Sequence, residues 1–102
     1  MKNLAYDSFF ITLANENRLA IIRYLARKGP QNVSQIVKGT GTEQSAVSHN
    51  LKKLLTCEFI HIKPNGKERV YKLNEKTIKP LLELMDKHVK NYCEVTCKDC
   101  KS

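Results

Sequence analysis

Apolar residues recur at helical spacing through most of the chain, and the period changes for one stretch near 59–73 before turning helical again. Leu4, Ala5, Phe9, Phe10 and Leu13 give a first amphipathic helix over 4–14. Its aromatic pair reads as core packing or as a subunit contact, because so small a domain has little interior for both rings. Leu19, Ile22 and Leu25 form the stripe of a second helix over 18–27, capped by Asn15 or Asn17 and ended by Gly29-Pro30. Val33, Ile36 and Val37 point inward from a short third helix over 33–38, closed by Gly39-Thr40-Gly41. Val47, Leu51, Leu54 and Leu55 line a fourth helix over 42–55, with Thr42 positioned to cap it. Two strands follow, 59–63 and 68–73, joined through Pro64-Asn65-Gly66-Lys67, where Asn-Gly signals a hairpin because both residues tolerate positive φ. A last helix starts near Thr77, with Pro80 in its first turn, and carries Ile78, Leu81, Leu82, Met85, Val89 and Tyr92.

The polar side of the fourth helix changes the picture. It presents Gln44, Ser45, Ser48, His49 and Lys52, short groups suited to base edges followed by a cation for phosphate. A solvated helix face ordinarily carries more Glu and Lys. Two short helices joined by a glycine turn, the second polar outside, make a helix-turn-helix. The hairpin behind it bears Lys63, Lys67, Arg69 and Lys72, with Lys67 and Arg69 the candidate phosphate contacts. The predicted fold is mainly α with a β-hairpin wing, a winged helix-turn-helix.

The 102 residues predict a single domain over 1–102, with a Cys-rich tail over 93–102. Eighteen Lys and Arg against ten acids give a formal charge of +8, which favours a polyanionic partner such as double-stranded DNA. An anionic membrane would need a long apolar run or a basic helix with aromatic anchors, and the sequence has neither. Its N-terminus does not read as a signal peptide, so a soluble cytoplasmic protein is expected. No phosphate loop or nucleophile–base set suggests an enzyme.

At this point the chain resembles the ArsR/SmtB family of metal-responsive repressors. The resemblance rests on Leu13-Ala14-Asn15-Glu16-Asn17-Arg18-Leu19-Ala20-Ile21-Ile22, on Gln44-Ser45-Ala46-Val47-Ser48-His49-Asn50-Leu51-Lys52-Lys53-Leu54, and on the wing from Gly66 to Leu73. It covers roughly residues 5 to 92. It implies a homodimer, joined through the first and last helices, that blocks a promoter until an inducer loosens it. Two features depart from the family pattern. Glu58 stands where glycine usually follows the recognition helix, and the third helix lacks the family's best-known cysteine site. Asp86-Lys87-His88 matches the first half of a second family site on the last helix. The second half would fall near Asp99, without the expected His-x-x-Glu or His-x-x-His.

Cysteines occupy that neighbourhood instead. Cys93, Cys97 and Cys100 lie at the end of the chain, whereas Cys57 stands alone and reads as a small buried hydrophobe. On an unbroken helix Cys93 and Cys100 would be about 10 Å apart, too far for one ion with bonds of about 2.3 Å. Either two neighbouring thiolates chelate with help from Asp86 or His88 across a dimer, or Cys100 folds back. Asp86 and His88 lie about 200° apart on a helix, so they need not share one ion. Three thiolates suit a soft metal or metalloid ion: arsenite, cadmium, lead, copper(I) or zinc. The leading expectation is a repressor released by such an ion. The rivals are a thiol redox or persulfide sensor of the same fold and an unregulated architectural DNA-binding protein.

Overall fold

The computed structural model describes residues 3–93. In chain order these form α1 (Leu4–Leu13), α2 (Glu16–Lys28), α3 (Val33–Thr40), α4 (Gln44–Thr56), β1 (Ile60–Asn65), β2 (Glu68–Leu73) and α5 (Ile78–His88). Beyond α5 the backbone continues as a π-wound turn, Val89–Cys93.

Asparagines start three of the helices by accepting first-turn N–H groups that have no intrahelical partner. Asn3 accepts from Ala5 and Tyr6, and Asn15 accepts from Arg18. Asn32 and Gln35 make a reciprocal capping box. The expected cap of α4 is not made. Gly41, at φ +69°, closes α3, so Thr42 is still in the turn and its N–H donates to Thr40 Oγ1 at 3.3 Å. Glu43 occupies the cap position without a side-chain cap bond. Helix α3 also runs to Thr40, past the expected stop at Gly39. That glycine serves packing rather than termination, since a Cβ on it would lie 2.1 Å from the Tyr24 ring.

The core is built where α2, α4 and the sheet meet. Ile21, Ile22, Leu25, Ile36, Val47, Leu51, Leu54, Phe59 and Ile60 are buried, with Leu73 and Leu82 beside them. The antiparallel strands pair from Ile60 with Leu73 to Asn65 with Glu68, which leaves Gly66 and Lys67 as the two turn residues. Only Gly66 has positive φ, the pattern of a type II′ turn, so Asn65 ends a strand and does not need the left-handed region. Reciprocal backbone bonds between Gln31 and Tyr71 tie the hairpin to the start of α3.

The terminal helices depart from a one-sided pattern. On α1, Thr12 and Leu13 are buried and Phe9 stacks on Phe59 at 5.1 Å, but Leu4, Tyr6, Phe10 and Ile11 are exposed. The expected inward stripe of the last helix stops at Met85, because Val89 and Tyr92 lie beyond α5 in the π-wound turn and are exposed.

Candidate nucleic-acid interface

Helix α4 is placed by its buried side. Val47, Leu51 and Leu54 enter the core, and Asn50 is buried next to them. With about 100° of rotation per residue, Gln44, Ser45, Ser48, His49 and Lys52 then share an arc of about 140° on the opposite side. All five are exposed. The structure therefore brings together the residues expected to read bases. Ser45 Oγ donates to Glu43 Oε1 at 3.0 Å, which adds a carboxylate to the N-terminal end of this surface. Sequence reasoning missed Glu43, although a carboxylate next to Gln44 was visible and acidic side chains can accept from cytosine.

The wing supplies the second group. Lys67 lies in the turn and Arg69 pairs across the strands with Pro64. Both are exposed. Strand alternation puts Arg69 on the same sheet face as Tyr71, whereas Lys63 and Lys72 lie on the other face with Glu68. The four cations therefore do not form one stripe. Asn32 Nδ2 donates to Glu68 Oε1, which joins the wing near its turn to the capping box of α3.

The candidate metal ligands are less convergent. Asp86 pairs with Arg23 at 2.8 Å, and the His88 ring faces Tyr92 at 5.0 Å. Cys93 is half-buried with a free thiol in the π-wound turn. That turn is π-wound, so the residue spacing of an unbroken α-helix does not carry on to Cys93. Cys97 and Cys100 lie outside the described residues. Among the described residues, no three His, Cys, Asp or Glu side chains come together as a metal-holding group. Cys57 is half-buried beside Thr12, and His61 lies 3.7 Å from Glu58. Neither belongs to the polar arc of α4.

Residues 15–61 match the family of bacterial regulatory proteins, ArsR family. Over that stretch, just under half of its length, the chain is similar to the ArsR family. Over 71 residues it is 37% identical to the HTH-type transcriptional regulator NmtR of Mycobacterium tuberculosis, covering 70% of this chain and 58% of that protein. The chain thus spans less than two thirds of that relative. Its fold matches the homodimeric winged helix-turn-helix DNA-binding domain Mb0332 of Mycobacterium bovis with a TM-score of 0.75 and 25% identity, covering 86% of this chain and 84% of that one. It also matches the AntR antimony-specific transcriptional repressor with a TM-score of 0.68 and 27% identity, covering 79% and 73%. The ArsR-family stretch contains all five polar residues of α4, whereas Lys67, Arg69 and the tail cysteines lie beyond it. Among the described residues, no helix is long and apolar enough to cross a membrane.

Proposed function

We propose that this chain is a DNA-binding transcriptional repressor, working as a homodimer, that leaves its operator when a soft metal or metalloid ion binds Cys93, Cys97 and Cys100. The observation that carries the DNA reading is the polar, solvent-facing arc of α4, held outward by the burial of Val47, Leu51 and Leu54 on the inner face. Helix insertion into the major groove would present Ser48 and His49 to base edges and Lys52 to a phosphate. Lys67 and Arg69 add phosphate contacts, in line with the net charge of +8.

The dimer reading rests on the terminal helices. Leu4, Tyr6, Phe10 and Ile11 on α1, with Leu84, Val89 and Tyr92 near the other end of the chain, are large exposed apolar side chains that a subunit contact would cover. The similarity to the homodimeric Mb0332 domain agrees with a dimer.

The inducer reading rests on donor chemistry. Three thiols within eight residues fit a soft ion, and the similarity to an antimony-specific repressor agrees with that class. Such an ion, once bound, would cross-link the thiolates it takes as ligands. Asp86 is already held by the Arg23 ion pair, so it is a secondary ligand candidate with His88.

The test is a titration of the purified protein with its own promoter DNA and with random DNA, repeated with each candidate ion under reducing conditions. Preference for the promoter and release by a soft ion are expected. Equal affinity for both DNAs would count against repression. Release by oxidant alone would favour thiol redox sensing.

A further inference from the structure

Arg18 sits in the first turn of α2, but its guanidinium serves two other helices. Nε donates to the Thr12 carbonyl at 2.7 Å and Nη2 donates to the Ile11 carbonyl at 3.3 Å. Those acceptors belong to the last turn of α1, where carbonyls lack helical partners and a cation is favoured. Helix α1 has no basic residue of its own there, so Arg18 supplies the charge from outside. The third bond leaves in another direction, from Nη1 to Asn50 Oδ1 at 3.3 Å.

Asn50 is only 6% exposed, and in sequence it directly follows the outward-facing His49. A second polar tie lies at the end of α4, where Thr12 Oγ1 and Cys57 Sγ are 3.6 Å apart. Thr12 is fully buried. The end of α1 is therefore fastened to α4 at its middle and at its end by directional contacts. An apolar contact would let one helix slide or turn on the other, whereas a planar guanidinium fork fixes both distance and orientation.

We infer that the Arg18–Asn50 bond, backed by the Thr12–Cys57 contact, is a joint that sets the angle of the recognition helix against α1. Arg18 and Asn50 are positioning residues for DNA reading. The inference rests on α4 being the base-reading helix. It goes beyond that reading by naming the connection to the exposed α1 face, since the Ile11 carbonyl is one end of the joint and the Ile11 side chain lies on that face. If Arg18 were only a cap for α1, its bonds to Thr12 and Ile11 would suffice and Asn50 would be dispensable.

The experiment uses the full chain and four variants: Asn50→Leu, Asn50→Asp, Arg18→Lys, and Asn50→Leu with Arg18→Lys. The readout is the ratio of promoter to random-DNA affinity, which cancels most of the effect of a changed charge. Asn50→Leu fills the space but removes the acceptor, and Arg18→Lys removes the fork. Each should lower the ratio about tenfold, and the double variant should fall no further than the worse single one. Asn50→Asp keeps an acceptor and should hold the ratio within about threefold. A wild-type ratio in Asn50→Leu, or losses that multiply in the double variant, would overturn the joint. Amide hydrogen exchange on the free protein gives a DNA-independent arm: α4 amides should exchange faster in Asn50→Leu and Arg18→Lys relative to those of α2. If the wild type itself fails to prefer the promoter, base reading by α4 fails and exchange alone decides the joint. Unchanged α4 exchange in both variants then rejects it. Should Asn50→Leu not fold, Arg18→Lys and Asn50→Asp supply the same comparison.

Discussion

At Gly39 the ring of Tyr24 occupies the space a side chain would need, because the Cβ position is 2.1 Å from the ring edge. Tyr24 cannot simply swing away, since its hydroxyl donates to Gln31 Oε1 at 3.0 Å beside the bridge to Tyr71. Gly39→Ala should therefore destabilise the fold by about 1–3 kcal/mol, an overpacking cost larger than the usual helical gain from alanine. A urea melt checks this, and an unchanged midpoint would mean the ring gives way freely. Glu58 is the opposite case. Its φ of +56° is left-handed, as its place in a normally glycine position implied. Glu58→Gly should relieve about 1–2 kcal/mol of strain and lose about 0.4–1 kcal/mol to a more flexible unfolded chain. The net expectation is a gain of up to about 1.5 kcal/mol, read as a higher melting temperature. Glu58 is conspicuous in the sequence, whereas Gly39 has the sequence signature of a helix stop. The reason is that a close approach by another helix leaves no mark at the glycine itself.

At the level of elements, α4 was legible because its inner and outer faces differ in kind. Val47, Leu51 and Leu54 must enter the core, and that alone turns Ser48 and His49 outward. Helix α1 was harder to read, since Phe9 and Phe10 look alike in sequence while one stacks on Phe59 and the other faces solvent. The wing was legible in position but not in facing, because register decides that Arg69 and Lys72 take opposite sides. These placements give separable expectations. Ser48→Ala or His49→Ala should cost about 1–3 kcal/mol of promoter binding and spare most binding to random DNA. Equal losses on both DNAs would remove them from base reading. Lys67→Ala or Arg69→Ala should weaken binding to every sequence and flatten the salt dependence by about 0.9 in log–log slope per phosphate contact. Competition titrations across salt concentrations distinguish the two patterns.

For the whole molecule, the question is how an event at the C-terminal end reaches α4. The proposed ligands begin at Cys93, where α5 has already given way to π-winding and its apolar side chains face outward. An ion tying Cys93 to Cys97 and Cys100 would act on this outward-facing end without touching DNA. It would shift binding only if its affinity differs between free and DNA-bound protein. Linkage then requires that DNA weaken ion binding by the same free energy by which the ion weakens DNA binding. Cys93→Ser or Cys97→Ser should leave DNA affinity without the ion nearly unchanged and abolish release. Cys100→Ser should do the same or less. Asp86→Asn should have a smaller effect on release, because that carboxylate is already engaged by Arg23. Thiols must lose protons to become ligands, so release should demand more ion as pH falls, by up to about tenfold per pH unit for each proton displaced. The measurement is a promoter titration at several pH values with the ion concentration varied. If a variant lacking all three tail cysteines still dissociates at the wild-type ion concentration, the tail does not sense the ion, and the signal must enter elsewhere.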